Sequence, residues 1–113
     1  MFSVDKDADI NFTSFHGNEV RATPNELIRA FGSPAYEDNS GYDKVNMQWV
    51  FVRNSTGEVF TLYDWKEYMR LDMDSAYMWH VGSHKIEENS EGMFKSWVEG
   101  EVVHAKKKDT VRG

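Results

Sequence analysis

The sequence predicts an α+β domain: a small antiparallel sheet of about five strands with two helices packed on one face. Three observations predict it. Residues 45–63 alternate apolar and polar side chains with a period of two on either side of Asn54-Ser55-Thr56-Gly57, the pattern of a β-hairpin. Residues 23–32 carry helix start and stop signals together. Beyond Gly82, apolar residues return at helical spacing, at Ile86, Met93, Phe94, Trp97 and Val98. Strands joined by short turns pair antiparallel, and amphipathic helices then cover one side of the sheet.

Residues 1–9 are polar and are expected to be loose. Ile10, Phe12 and Phe15 mark a short strand, His16-Gly17-Asn18 a turn, and residues 19–22 a returning strand. Thr23 is an N-cap, and Pro24 takes the first helical position, where a missing N–H costs nothing. Glu26, three residues after the cap, completes a capping box. Leu27, Ile28 and Phe31 form the buried stripe, and Gly32 and Pro34 end the helix. Residues 35–43 read as a loop.

In residues 45–53, Val45, Met47, Trp49 and Phe51 point one way. The other face changes from Asn46 and Gln48 to Val50 and Val52, which predicts a second half covered on both sides. Residues 58–63 return with Phe60 and Leu62 on one face and Val59, Thr61 and Tyr63 on the other. Residues 69–75 have no period and read as a loop. Residues 76–81 form the next strand, with Tyr77, Trp79 and Val81 on one face and Met78 and His80 on the other. Gly82-Ser83 breaks it. The last helix starts at Ser83 or, alternatively, at Asn89-Ser90, and closes at Gly100. One domain, 1–103, is expected, followed by a flexible basic tail, 104–113.

The chain has no cysteine, which excludes a disulfide scaffold, a thiolate metal site and a cysteine nucleophile. No apolar run nears the roughly 20 residues that span a bilayer. The start, MFSVDKDADI, lacks the basic-then-apolar order of a signal peptide, so a soluble cytoplasmic protein with no membrane contact is expected. The net charge is −6; residues 104–113 hold Lys106, Lys107, Lys108 and Arg112 against Asp109, a net +3, so the body carries −9. An acidic body disfavours direct nucleic-acid binding and suits a basic partner.

No phosphate-binding or dinucleotide-binding glycine pattern occurs, and no nucleophile elbow. Ser83 adjoins His84 without an identifiable third residue. His80 and His84 are four apart, but Gly82-Ser83 between them divides a strand from a helix start. The expectation is therefore a non-enzyme with no catalytic residues, no metal ligands and no cofactor.

Four segments occur in order: FGSP at 31–34, KVNMQWVF at 44–51, GEVFTLYDWK at 57–66 and WHVGS at 79–83. Across residues 13–98 this resembles a family of small proteins encoded by tailed bacteriophages, in which YDWK is followed by WH(I/V)G(G/S) and a short helix. The resemblance implies a phage origin, a location in the host bacterial cytoplasm and an accessory role; it implies no reaction.

Two sets of binding residues follow. Asp64, Glu67, Asp72 and Asp74 place four acids within eleven residues. They fit an inhibitor that covers a basic site on a host or antiphage-defence protein, in the manner of anti-CRISPR or anti-restriction proteins. Alternatively, Trp79, His80, Gly82, Ser83, His84 and Lys85 lead from a strand into a helix start whose free N–H groups attract an anion. Trp65 and Lys66 on the neighbouring strand would add a stacking ring and a cation. That set fits a homo-oligomeric sponge for a nucleotide-derived immune signal. The plainer reading is that both tryptophans fill the core.

Overall fold

The computed structural model describes residues 2–11, 13–37, 45–65, 70–84 and 89–112, the side chains of 108–112 excepted. Among the described residues are six strands and two helices: β1 (Phe2–Val4), β2 (Ser14–Ala22), α1 (Pro24–Phe31), β3 (Tyr36–Glu37), β4 (Met47–Arg53), β5 (Val59–Tyr63), β6 (Tyr77–Ser83) and α2 (Ser90–Arg112). The sheet is antiparallel throughout, in the order β1-β4-β5-β6-β2, with β3 also paired to β4. The α+β class with a small antiparallel sheet and two helices is thus the observed architecture.

The central meander forms as its periodicity dictates. Trp49, Phe51, Phe60, Leu62, Trp79 and Val81 are fully buried, all on the face that also receives Leu27 of α1 and Phe94, Val98 and Val102 of α2. Rings interlock there: Phe60 stacks on Phe94 at 4.7 Å, and Trp49 meets Trp79 edge-on at 5.5 Å. Both indoles have their N–H satisfied, Trp49 by the Gly32 carbonyl at 2.9 Å and Trp79 by the Ala22 carbonyl at 2.8 Å. Leu71, in the loop before β6, is also buried. Helix α1 starts on the complete capping box. The Glu26 amide donates to Thr23 Oγ1, and the Thr23 amide donates to Glu26 Oε1.

Five expectations change. Phe2–Val4 is a paired strand, because the buried Phe2 ring wedges against Phe60, Phe94 and Trp97. The expected 10–22 hairpin is instead one edge strand. Gly17 takes φ 105° inside a bulge, where His16, Gly17 and Asn18 oppose the single Val81. A glycine with positive φ serves a bulge as well as a turn. Tyr36–Glu37 pairs with β4 within the expected loop. Gly82-Ser83 continues β6, and α2 begins at Ser90, the alternative start. It runs through Gly100 to Arg112, across the stretch read as a tail. A glycine costs a helix only about 1 kcal/mol, less than the buried stripe on either side of it gains. Expectations at Phe12, Ile86 and residues 38–44 lie outside the described residues.

β1 and β2 occupy opposite edges of the sheet, and the segment between them is tied down both where it follows β1 and where it precedes β2. The Asp5 amide donates to the Val50 carbonyl at 2.9 Å where the segment leaves β1, and His84 Nε2 lies 2.7 Å from the Asn11 carbonyl before β2.

Candidate functional site

Helices cover one face of the sheet. On the other face, strand alternation places the partners of one register row: Gln48, Tyr63, His80 and Glu19. The next row holds Val50, Thr61, Gly82 and Phe15. Tyr36 joins the first row through its pairing with Gln48. Met78, two residues before His80, pairs with Arg21 on the same side.

The aromatic side chains converge on His80. Phe15 lies flat on the imidazole, with centroids 3.9 Å apart and planes 15° apart. Trp65 lies near-parallel beyond it, at 6.4 Å and 28°. Tyr63 stands across both, at 5.6 Å and 70° from His80 and 6.1 Å and 84° from Trp65. His80 Nε2 is 3.2 Å from Glu19 Oε2. Burial pushes the Tyr63 phenol above its ordinary value, so it stays neutral at physiological pH. Despite this clustering, Phe15 is 41%, Trp65 39% and Met78 47% exposed. Gly82 makes the arrangement possible. A Cβ there would strike Thr61 Oγ1 and press Tyr63 Cε1 at 3.3 Å.

The predicted site residues divide. Trp65 and His80 belong to this surface. Trp79 is core, with no exposed area. Gly82 is filled over by Thr61 and Tyr63, so it opens no path for a ligand. Ser83 is a buried strand residue whose hydroxyl donates to Glu91 Oε2. Asn18 Nδ2 donates to the other Glu91 oxygen at 2.6 Å, so this buried carboxylate anchors the start of α2 to the sheet edge. Ser83 ends β6 and α2 begins at Ser90, so Ser83 is not the helix start that the expected anion site relied on.

Asp64 is not a surface acid. It is fully buried and accepts from the Asn46 amide at 2.8 Å, Asn46 Nδ2 at 2.9 Å and the Met47 amide at 2.9 Å, capping the entry into β4. Asp72 and Asp74 are exposed and tie their loop to α1: Asp72 Oδ1 accepts from the Asp74 amide, and Asp74 Oδ1 from Asn25 Nδ2 at 2.7 Å. His84 is exposed and engaged with Asn11. Lys66, Glu67 and Lys85 lie outside the described residues.

Sequence reasoning missed Phe15, Glu19, Tyr36, Tyr63 and Met78 as members of one surface. Tyr63 and Met78 were legible by period two from Trp65 and His80. Phe15 was not, because the bulge sets its register. Among the described residues no group of three metal-ligating side chains occurs, and no helix is long and apolar enough to cross a membrane. A hollow along α2 is lined, among the described residues, by Asn89, Gly92, Met93, Ser96 and Trp97. No family model, no curated protein and no solved structure matches this chain.

Proposed function

We propose that the chain is a non-catalytic accessory protein that acts by holding another protein, and that the outer sheet face around Phe15, Trp65, Met78 and His80 is its contact surface. In the phage setting that the sequence resemblance implies, the partner is a bacterial host or antiphage-defence protein, occupied rather than chemically altered. The single observation that carries this reading is the exposed aromatic cluster. Two aromatic rings and a methionine, each at least 39% exposed, gather on the sheet face opposite α1 and α2. Tyr, Trp, Phe and Met are the residues enriched at interface cores, and contiguous exposed apolar surface marks a contact site.

The negative net charge favours a basic partner. It does so as a general field rather than through the predicted acid cluster, since Asp64 is internal. The nucleotide-sponge alternative keeps Trp65 as a stacking ring but lacks Trp79 and a helix N-terminus beside it. Protein binding therefore stands first.

The test is a Phe15→Ser/Trp65→Ser variant, chosen because both side chains are substantially exposed. Circular dichroism should show the wild-type fold, and the variant should lose its effect on the host during infection and its capture of the partner. A folded variant that retains both in full removes the outer face from the mechanism.

A further inference from the structure

β2 is the last strand on its side of the sheet, and no described strand pairs with its outer edge. An open edge offers a row of backbone N–H and C=O groups to any other strand, and proteins blunt such edges with bulges, prolines and charges. Here the bulge takes residues 16–18, and α1 begins at Pro24, so residues 19–22 are left regular and open. Val20 and Ala22 face the core and are buried. Glu19 and Arg21, one residue apart from Val20 on either side, stand on the outer face. The Glu19 carboxylate is 37% exposed, with Oε2 3.2 Å from His80 Nε2. Arg21 is exposed and, among the described residues, makes no ion pair.

We infer that β2 pairs antiparallel with β2 of a second copy of this chain, about a two-fold axis through Val20, joining two sheets edge to edge. A two-fold axis perpendicular to the sheet presents the same strand to itself in the opposite direction. The pleat keeps outer-face residues opposite outer-face residues, so the axis passes through a residue and never between two. Centred on Glu19, the pairing opposes two carboxylates; centred on Arg21, it opposes two guanidiniums; like charges directly opposite are unfavourable. Centred on Asn18, it runs into the bulge, and centred on Ala22 it runs into α1. Centred on Val20, Glu19 lies opposite Arg21 of the second copy, and symmetry makes that pair twice. The charge pattern of the edge is thus complementary to itself in one register. The row Tyr63, His80, Glu19 then continues into Arg21 and Met78 of the second copy, and both outer faces lie on the same side of one continuous sheet. The dimer does not depend on what the outer face binds.

The experiment is sedimentation equilibrium of the full chain from about 10 μM to about 1 mM, with circular dichroism to establish that each variant is folded. The paired stretch, residues 18–22, is short, so a weak dimer is expected, with a Kd on the order of 100 μM. Arg21→Glu opposes like charges at both ends of the seam and should weaken association at least about tenfold. The double reversal Glu19→Arg/Arg21→Glu sets opposite charges together again in the same register and should recover association to within about threefold of wild type. An equimolar mixture of Glu19→Arg and Arg21→Glu should associate more tightly than either variant alone. In the wild type, the outward-pointing amides among residues 18–22 should exchange with solvent more slowly as concentration rises.

A wild type that stays monomeric at about 1 mM overturns the inference. So does a dimer whose Kd is unchanged in Arg21→Glu, since its seam then lies elsewhere on the molecule. A folded double reversal no tighter than Arg21→Glu alone overturns the register, and with it the pairing proposed. Should a charge-reversal variant fail to fold, the exchange measurement on the wild type decides: protection of residues 18–22 that is independent of concentration rules the seam out.

Discussion

Asp64 shows most plainly how a residue's role depends on what surrounds it. Three donors converge on one buried carboxylate at the point where the chain enters β4. Asp64→Ala leaves those donors without partners, and an unmet buried donor costs about 1–3 kcal/mol. Urea unfolding should therefore show a loss of at least about 2 kcal/mol, with Asp64→Asn less damaging because one oxygen remains. Gly82 offers a second test. Gly82→Ala forces a methyl group against Thr61 Oγ1, a collision between neighbouring strands that should cost about 1–3 kcal/mol. Removing the obstacle in Thr61→Ala should make the double variant more stable than the sum of the two single losses. Strict additivity in that cycle would mean Thr61 is not the obstacle.

Among the elements, α1 and α2 depend on each other through Glu26. It completes the capping box of α1, and its other oxygen lies 2.7 Å from the Lys106 ammonium on α2. Lys106, and after it the Thr23 amide, hold the Glu26 carboxyl below its ordinary value of 4.5. A depressed carboxylate stabilises the fold above its unfolded-state pKa and loses that contribution as pH falls through the lower folded value. The stability gap between wild type and Glu26→Gln should thus be full at neutral pH and narrow below about pH 4.5 in chemical denaturation. A gap that is constant across this range would show that the charge contributes nothing. Thr23→Ala should cost about 1 kcal/mol through the lost cap. Truncation after His104 removes Lys106, and since that side chain is 57% exposed, the effect should be a slight loss of stability without loss of fold.

On the scale of the whole molecule, the sheet divides two tasks between its faces. One face builds the core and the other carries the exposed aromatic surface. Trp49 belongs wholly to the first: it is fully buried, sits edge-on to Trp79 and donates to the end of α1. Trp49→Ala should cost roughly 3–5 kcal/mol, enough to abolish cooperative thermal unfolding in a domain of this size. Trp65→Ala, on the other face, should leave the melting temperature within a few degrees of wild type. Those two tryptophan variants, compared by calorimetry, separate a side chain that the core needs from one that the fold can do without.

The sequence by itself determined the central meander of β4, β5 and β6, the side of each of those strands that faces the core, helix α1, and the existence of α2 though not its extent. Those follow from local periodicity and capping chemistry, which a side chain expresses without distant neighbours. The tertiary structure alone decided the rest. Gly17 makes a bulge rather than a turn, and the bulge sets Phe15 against Gly82 and onto His80 across 65 residues of chain. Phe2 becomes core because β1 crosses to the far edge of the sheet. Trp65 and Trp79, similar in sequence setting, end on opposite faces, one exposed and one sealed. The acidity of Asp64 is spent inside the fold. Pairing across distant segments and the burial that results are sums over the whole chain, and no local pattern contains them.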